Sequence, residues 1–169
     1  MKKTLPLLAA ALLSTHLAFA ADTAKDTKPA EKPEAKAPAK VGKAKWHTSI
    51  EKARKQAADE KKPIIMLFTG SDWCHWCIKL EKEILSQKEF KAWAGGNAVL
   101  FIADFPQGKK PGEKEMKQNR KLQGEYGVKG YPTIIVTDAE GKKLGQTGYQ
   151  KMTPAEYTKH LEGFTGSAK

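Results

Sequence analysis

Cysteine is scarce in this sequence, which has only Cys74 and Cys77 among its 169 residues. A structural zinc ion needs four ligands, and after residue 20 the chain adds only three histidines, none at paired ligand spacing. Covalent haem attachment needs histidine directly after the second cysteine, and position 78 is isoleucine. Two interpretations of the pair therefore remain, a redox-active dithiol and a structural disulfide.

Long apolar runs are also missing. The most apolar segment, residues 5–17, is too short and too close to the N-terminus to span a bilayer. Lys2-Lys3 precedes it, and Ala18-Phe19-Ala20 follows the small-x-small rule for cleavage, so residues 1–20 are expected to be a signal peptide. No cysteine stands at the cleavage site to carry a lipid anchor. We expect the mature protein to be soluble and periplasmic, or otherwise extracytoplasmic.

Basic residues are not gathered into one stripe. The net charge is +11, with 30 Lys and Arg against 19 Asp and Glu, but the basic residues are scattered through predicted helices and loops. A nucleic-acid site normally shows a clustered basic face, so no nucleic-acid partner is expected. The excess charge favours acidic partner proteins or a negatively charged envelope surface.

The first large apolar residue after the signal peptide is Trp46. Residues 21–45 consist mainly of Ala, Lys, Pro, Glu, Asp and Thr, so this segment is expected to be a disordered linker. Residues 46–169 are enough for one ordinary hydrophobic core and too few for two. We therefore expect a single folded domain over 46–169.

Apolar periodicity predicts an alternation of helices and strands. Buried strands are expected at 64–69, 98–103 and 134–136, and an antiparallel edge strand at 142–147, with Gly148 marking a bulge or kink. Helices are expected at about 49–60 from a Thr48–Glu51 capping box, from the cysteines to about Ala94 with Gly95-Gly96-Asn97 as its end, at 113–123, and from Thr153 to near Gly163. This order indicates an α/β domain with three layers and a mixed sheet.

The two cysteines lie where the first buried strand turns into a helix. Cys77, Leu80, Ile84 and Leu85 recur at helical spacing after the apolar run 63–68. At such a turn, backbone N–H groups and the positive end of the helix point at the first sulfur, which favours its thiolate. A structural disulfide that closes so small a loop would stabilise the fold little. Redox chemistry is therefore the favoured interpretation.

Two separate motifs resemble the thioredoxin superfamily: Trp73-Cys74-x-x-Cys77 after an apolar strand, and Tyr126-Gly127-Val128-x-Gly130-x-Pro132-Thr133. Lys62-Pro63, Asp72-Trp73-Cys74 and Leu80-Glu81-Lys82 further resemble the periplasmic thioredoxin-like domains of membrane thiol–disulfide interchange proteins. The resemblance implies a thioredoxin-like three-layer α/β fold, with a mixed central sheet flanked by helices. It also implies that Pro132 is a cis-proline facing the cysteines, and that Trp73 and Tyr131 contact the substrate beside it.

Three positions depart from the thioredoxin pattern. Thioredoxins carry a buried aspartate on the strand before the cysteines, and the matching position here is Leu67. Glu81, one helical turn after Cys77, is the candidate proton acceptor in its place; the alternative is an ordinary solvated helix residue. His75 either stabilises the thiolate of the first cysteine when protonated or is only exposed and polar. Trp76 either packs on the domain or forms a docking surface.

These features predict an exported thiol–disulfide oxidoreductase that acts through a mixed disulfide, which Cys74 forms and Cys77 resolves. The expected partners are protein thiols and disulfides, together with a membrane-bound redox protein that recharges this monomeric domain. No metal or organic cofactor is implied. A narrower variant reduces apocytochrome thiols before haem attachment, and the alternative class is a thioredoxin-fold binding or chaperone module with a stable disulfide. The direction of electron flow stays open, because reduction and oxidation use the same residues.

Overall fold

The computed structural model describes residues 44–166. The expected signal peptide, 1–20, and all but the last two residues of the expected linker, 21–45, lie outside this range. Within 44–166, no helix has both the length and the apolar character that a bilayer crossing requires.

Five strands form one mixed sheet in the order β1-β3-β2-β4-β5. They are β1 Trp46–His47, β2 Ile64–Thr69, β3 Val99–Asp104, β4 Thr133–Thr137 and β5 Lys143–Thr147. Strand β3 runs parallel to β1 and β2, whereas β4 is antiparallel to β2 and β5 is antiparallel to β4. The predicted mixed sheet is confirmed. Strand β1 was not predicted, because two residues are too few to display a period of two.

Five α-helices flank the sheet: α1 Ile50–Glu60, α2 His75–Leu80, α3 Lys88–Asn97, α4 Glu113–Glu125 and α5 Pro154–Thr165. The predicted start of α5 is confirmed, because the Thr153 hydroxyl accepts the Glu156 amide at 3.3 Å and the Glu156 carboxylate accepts the Thr153 amide at 2.8 Å. The predicted capping box of α1 is wrong: Ser49, not Thr48, is the cap and accepts the Lys52 amide.

The helix expected from the cysteines to Ala94 is interrupted. After α2 the chain makes a π-helical turn at Glu81–Leu85, and the new helix α3 begins at Lys88. The Ser86 amide donates to the Glu81 carbonyl at 2.9 Å, and the Gln87 side-chain amide donates to the Lys82 carbonyl at 2.6 Å. The regular α-helical pattern of backbone hydrogen bonds therefore stops at this turn. The Gly95-Gly96-Asn97 segment is the last turn of α3 rather than its cap.

Strand β2 is buried on both faces and divides the core in two. Ile64, Met66 and Phe68 lie in the cluster that contains the apolar residues of α1 and α4. Ile65 and Leu67 lie in the other cluster, with buried residues of α2, α3 and α5. The sheet is therefore the middle of three layers, as predicted, and the chain that leaves β2 carries the cysteines.

The irregularity expected at Gly148 lies elsewhere. The register shifts between Val136 and Thr137, where Leu144 is the extra residue on β5, and Gly148 follows the end of that strand. The ring of Phe164 on α5 packs so closely on Gly145 that a Cβ there would overlap it. The bulge at Leu144 is therefore adjacent to the position where Phe164 of α5 packs on β5.

Candidate active site around the cysteine pair

Cys74 directly precedes α2, and its sulfur caps that helix. The Cys77 amide donates to Sγ of Cys74 at 3.3 Å, and the Cys74 amide donates to the Gly70 carbonyl at 2.9 Å. The two sulfurs are joined as a disulfide, with Cα atoms 5.2 Å apart. Both cysteines are buried, exposing 7% and 4% of their surface. After reduction, a sulfur anion at Cys74 would face an amide donor and the positive end of a helix, an arrangement that stabilises thiolates.

Pro132 stands directly before β4, and the Tyr131–Pro132 peptide bond is cis, as the resemblance implied. Pairing of Thr133 with Phe68 puts this bond at the end of β2 from which the cysteine loop departs. The ring of Tyr131 meets the ring of Trp73 edge-on, with centroids 6.0 Å apart. The three residues predicted to contact substrate are therefore close together. We call Trp73, Tyr131 and Pro132 the platform.

Other residues hold the platform from below and from the side. The Gln123 amide on α4 donates to the Tyr131 hydroxyl at 2.8 Å, and the Tyr131 ring stacks on Phe105 with centroids 5.2 Å apart. A Cβ added to Gly148 would lie 2.9 Å from the Pro132 carbonyl oxygen, so the chain after β5 passes directly against the cis peptide. These contacts leave the platform little room to move.

Three consecutive residues of the cysteine loop bind the last residue of β3 and the segment that follows it, and we call this arrangement the clamp. Ser71 donates to the Asp104 carboxylate through its amide at 3.0 Å and through its hydroxyl at 2.6 Å. The Asp72 carboxylate accepts the backbone amides of residues 107 and 108 at 3.0 and 2.7 Å. The Trp73 indole donates to the Phe105 carbonyl at 2.8 Å. The amides that Asp72 accepts hold the pKa of its carboxyl below the usual range.

Glu81 and Cys77 line one cavity of about 270 Å³, together with Leu67 and Ile102. Leu67, the position that matches the thioredoxin aspartate, therefore lines this cavity from β2. Glu81 lines it from the turn that follows α2. The Glu81 residue is exposed overall, yet partial burial of its carboxyl removes water from the charged form and raises its pKa, and the attraction of Lys91 only partly offsets this. The geometry places the predicted proton acceptor and the second cysteine on the same cavity.

Known proteins with similar sequences also carry a thioredoxin-like domain. A protein-family model described as a thioredoxin-like domain matches residues 50–165. The chain is 38% identical over 117 residues to the disulfide bond reductase DsbH of Chlamydia pneumoniae, covering 69% of this chain and 70% of that protein. The chain belongs to the thioredoxin-like family.

Solved structures agree with this assignment. A structure named DsbH oxidoreductase, 34% identical, superposes with a TM-score of 0.69 and covers 79% of this chain and 92% of its own. A thioredoxin from Thermus thermophilus, 16% identical, shares the fold with a TM-score of 0.54, covering 72% of this chain and 86% of its own. With its Cys74–Cys77 disulfide in this fold, the thioredoxin-like protein is a thiol–disulfide oxidoreductase.

A second aromatic group of the thioredoxin-like domain borders the cysteine helix. Trp76 is 51% exposed and packs one face on Tyr149, with ring centroids 5.3 Å apart. Nζ of Lys79 lies 5.4 and 5.3 Å from these two rings, and Glu83 accepts the Tyr149 hydroxyl at 2.7 Å. His75 is exposed and meets Trp76 edge-on. Trp76 thus packs on Tyr149 of the domain while about half of its surface remains exposed to solvent.

Sequence reasoning missed the residues that support this site. Phe105 and Gln123 contact the platform, Tyr149 contacts Trp76 and Asp72 belongs to the clamp, but none carries a periodic or spaced signal of its own. Asp72 was named only within the Asp72-Trp73-Cys74 resemblance, which assigned it no role. Within residues 44–166, no three side chains of His, Cys, Asp or Glu converge as metal ligands would.

Proposed function

We propose that the protein is an exported thiol–disulfide oxidoreductase that reduces protein disulfides through a mixed-disulfide intermediate. The observation that carries the proposal is the Cys74–Cys77 disulfide at the first turn of α2, beside the platform. The name of the 38% identical relative, a disulfide bond reductase, supports reduction as the direction. The basic, apolar and small-residue pattern of residues 1–20 supports export.

In the first step, the Cys74 thiolate attacks one sulfur of the substrate disulfide. The substrate S–S bond breaks, a new S–S bond joins Cys74 to the substrate, and the departing substrate sulfur takes a proton from water. The Cys77 amide stabilises the thiolate before it attacks. Exposed His75 adds a positive charge beside it when protonated. The platform holds the substrate chain on either side of its cysteine.

In the second step, the Cys77 thiol passes its proton to Glu81, and the resulting thiolate attacks Sγ of Cys74. The mixed disulfide breaks, and the second substrate sulfur leaves as a thiolate and is protonated. Two electrons have then moved to the substrate, and the domain ends with the Cys74–Cys77 disulfide. A membrane-bound dithiol partner returns two electrons and two protons to restart the cycle.

The test is to trap the intermediate with a defined substrate. Reduced Cys77→Ala protein mixed with insulin should form a covalent adduct that survives a non-reducing gel and disappears with dithiothreitol. The matched control, Cys74→Ala, should form none, because its remaining cysteine is the shielded one. An adduct with Cys74→Ala alone would reverse the two roles, and no adduct with either would contradict the mechanism.

A separate measurement discriminates the enzyme from a binding module with a stable disulfide. The protein is equilibrated with mixtures of reduced and oxidised glutathione, quenched with acid and analysed by mass. The cysteine pair of an enzyme should change between disulfide and dithiol within the range of redox potentials that glutathione can buffer. A structural disulfide should stay oxidised throughout that range. Export is tested by fractionating cells that produce the full chain and sequencing the N-terminus of the mature form, which should begin at Ala21.

A further inference from the structure

The loop that the clamp holds carries two lysines that the proposed chemistry does not use. Asp72 lies two residues before Cys74, and it binds the amide of Gly108, the residue directly before Lys109 and Lys110. Both lysines are exposed. We call them the dilysine tip. The clamp therefore anchors the backbone directly before the tip to the cysteine loop.

The two carboxylates of the clamp accept hydrogen bonds within the domain. Asp72 accepts two backbone amides, and Asp104 accepts two hydrogen bonds from Ser71. Neither lysine of the tip forms an ion pair with any side chain in the described part of the chain. Both lysines are thus exposed and outside any ion pair of the described residues, and they are available to a bound molecule.

The tip is also close enough to the platform to act on a bound substrate. Phe105 contacts both Trp73 and Tyr131, and only three residues separate it from Lys109. Their Cα atoms lie at most about 14 Å apart. That upper limit exceeds the Debye length of about 10 Å at 0.1 M salt but lies within the length of about 30 Å at 0.01 M, so the two charges act on substrate residues beside the reacting cysteine most strongly at low salt.

We propose that the dilysine tip is a substrate-recognition element that selects protein disulfides flanked by acidic residues. The inference rests on the proposed function, because it concerns the substrate of the same cysteine pair. Acidic groups beside the substrate cysteine are attracted to Lys109 and Lys110 while the substrate chain lies on the platform. The charges increase the rate of productive encounter and leave the chemistry at Cys74 unchanged.

The test uses two synthetic peptides, each with one intramolecular disulfide, that differ only in two flanking residues, Asp-Asp or Asn-Asn. The reduced protein is mixed with each peptide in a stopped-flow instrument, and the second-order rate constant is measured at 50 and 500 mM NaCl. The Asp peptide should react roughly tenfold faster at low salt. The two rates should converge at high salt, because added ions screen the interaction.

Charge-reversal variants assign the preference to the tip. Lys109→Glu with Lys110→Glu should abolish the preference for the Asp peptide and leave the Asn peptide rate unchanged. The matched control is Lys142→Glu with Lys143→Glu, which changes the net charge equally in the turn between β4 and β5. That turn lies at the opposite end of the sheet from the cysteines, so the preference should persist.

Asp72→Asn separates the clamp from net charge. This substitution makes the protein more positive, so a preference set by net charge alone would rise. If the clamp positions the tip, the preference should fall instead, because the amides of residues 107 and 108 lose their carboxylate.

Equal low-salt rates for the two peptides would overturn the proposal, as would a preference lost in the Lys142 and Lys143 control or raised in Asp72→Asn. If the protein reduces neither peptide, nor a small reagent such as dithiobis-nitrobenzoate, the proposed function itself fails and the inference falls with it.

Discussion

Replacing Glu81 with glutamine tests how the second cysteine loses its proton. Cys77 is 4% exposed, and burial in apolar surroundings disfavours a thiolate. Leu67 offers no proton acceptor in the cavity that Cys77 lines, whereas Glu81 does. Glu81→Gln keeps the shape of the side chain and removes its basicity. The first attack, by Cys74, should keep its rate, and resolution of the mixed disulfide should slow.

The cavity sets the size of the effect. General-base assistance is generally worth about 100- to 10,000-fold. A cavity of about 270 Å³ has room for water, which relays part of the proton transfer when the carboxylate is missing. We therefore expect a loss near the lower end, roughly 100-fold at pH 7.

Stability should move in the opposite direction. Because partial burial raises the pKa of Glu81 in the folded state, its charged form costs stability as pH rises through that pKa, whereas below the unfolded pKa both states are protonated. Glu81→Gln should therefore equal wild type below about pH 4 and be more stable at neutral pH. The gain should stay below about 1 kcal/mol, because solvent screens this exposed side chain.

The assay is stopped-flow resolution of a preformed mixed disulfide between pH 5 and 9, with urea unfolding in parallel. Glu83→Gln is the matched control, because Glu83 binds Tyr149 and does not line the cavity. Resolution rates that coincide for Glu81→Gln and wild type across this range would refute the reasoning. So would an equal slowing in the control.

Three further predictions follow from the same site. At mildly acidic pH, iodoacetamide should label Cys74 of the reduced protein before Cys77, because helix-start cysteines have pKa values of about 3.5 to 7.5 rather than about 8.5; peptide mass spectrometry would contradict this by finding Cys77 labelled first. A chain without its first 44 residues should melt like the mature protein and reduce insulin equally fast, since the removed composition has little to pack; a large loss of stability would refute it. Gly70→Ala should impair insulin reduction, because a Cβ at this position overlaps the Trp73 indole. Gly163 is exposed with no atom near its Cβ position, so Gly163→Ala should preserve activity and raise the free energy of unfolding by about 0.5–1 kcal/mol. Similar losses of activity in both variants would contradict the packing argument.

Local patterns were sufficient for most of the fold. Strand β2 and helix α5 were predicted from an apolar run and a capping box, which are signals contained within a few residues. The cap of α1 was misplaced by one residue because Thr48 and Ser49 both offer a hydroxyl. Which of the two residues caps the helix depends on Gln118, whose side-chain amide donates to the Thr48 carbonyl from 70 residues away. The break before α3 similarly depends on a side chain, that of Gln87, which binds the backbone and leaves no periodic trace.

The site divides in the same way. The cysteine pair and the cis-proline belong to motifs, so both were predicted with their positions. The clamp was not predicted, because Asp72 binds main-chain amides 35 and 36 residues later in a loop without regular structure. A main-chain amide is present at nearly every position, so its use cannot be recognised from residue types. Glu81 was predictable in part: its spacing from Cys77 was visible, whereas the cavity they share was not.

The way the clamp is built has a consequence for how this protein can change. Asp72 accepts hydrogen bonds from main-chain N–H groups, and Trp73 donates one to a main-chain carbonyl. Neither contact therefore depends on the side chains of the loop that it anchors. Mutations at positions 109 and 110 can therefore accumulate without loosening the anchor, much as hypervariable loops diversify on an immunoglobulin framework. If Lys109 and Lys110 recognise substrate as proposed, anchoring and recognition are separately heritable, and a library randomised at these two codons would sample new substrate preferences on an unchanged redox centre.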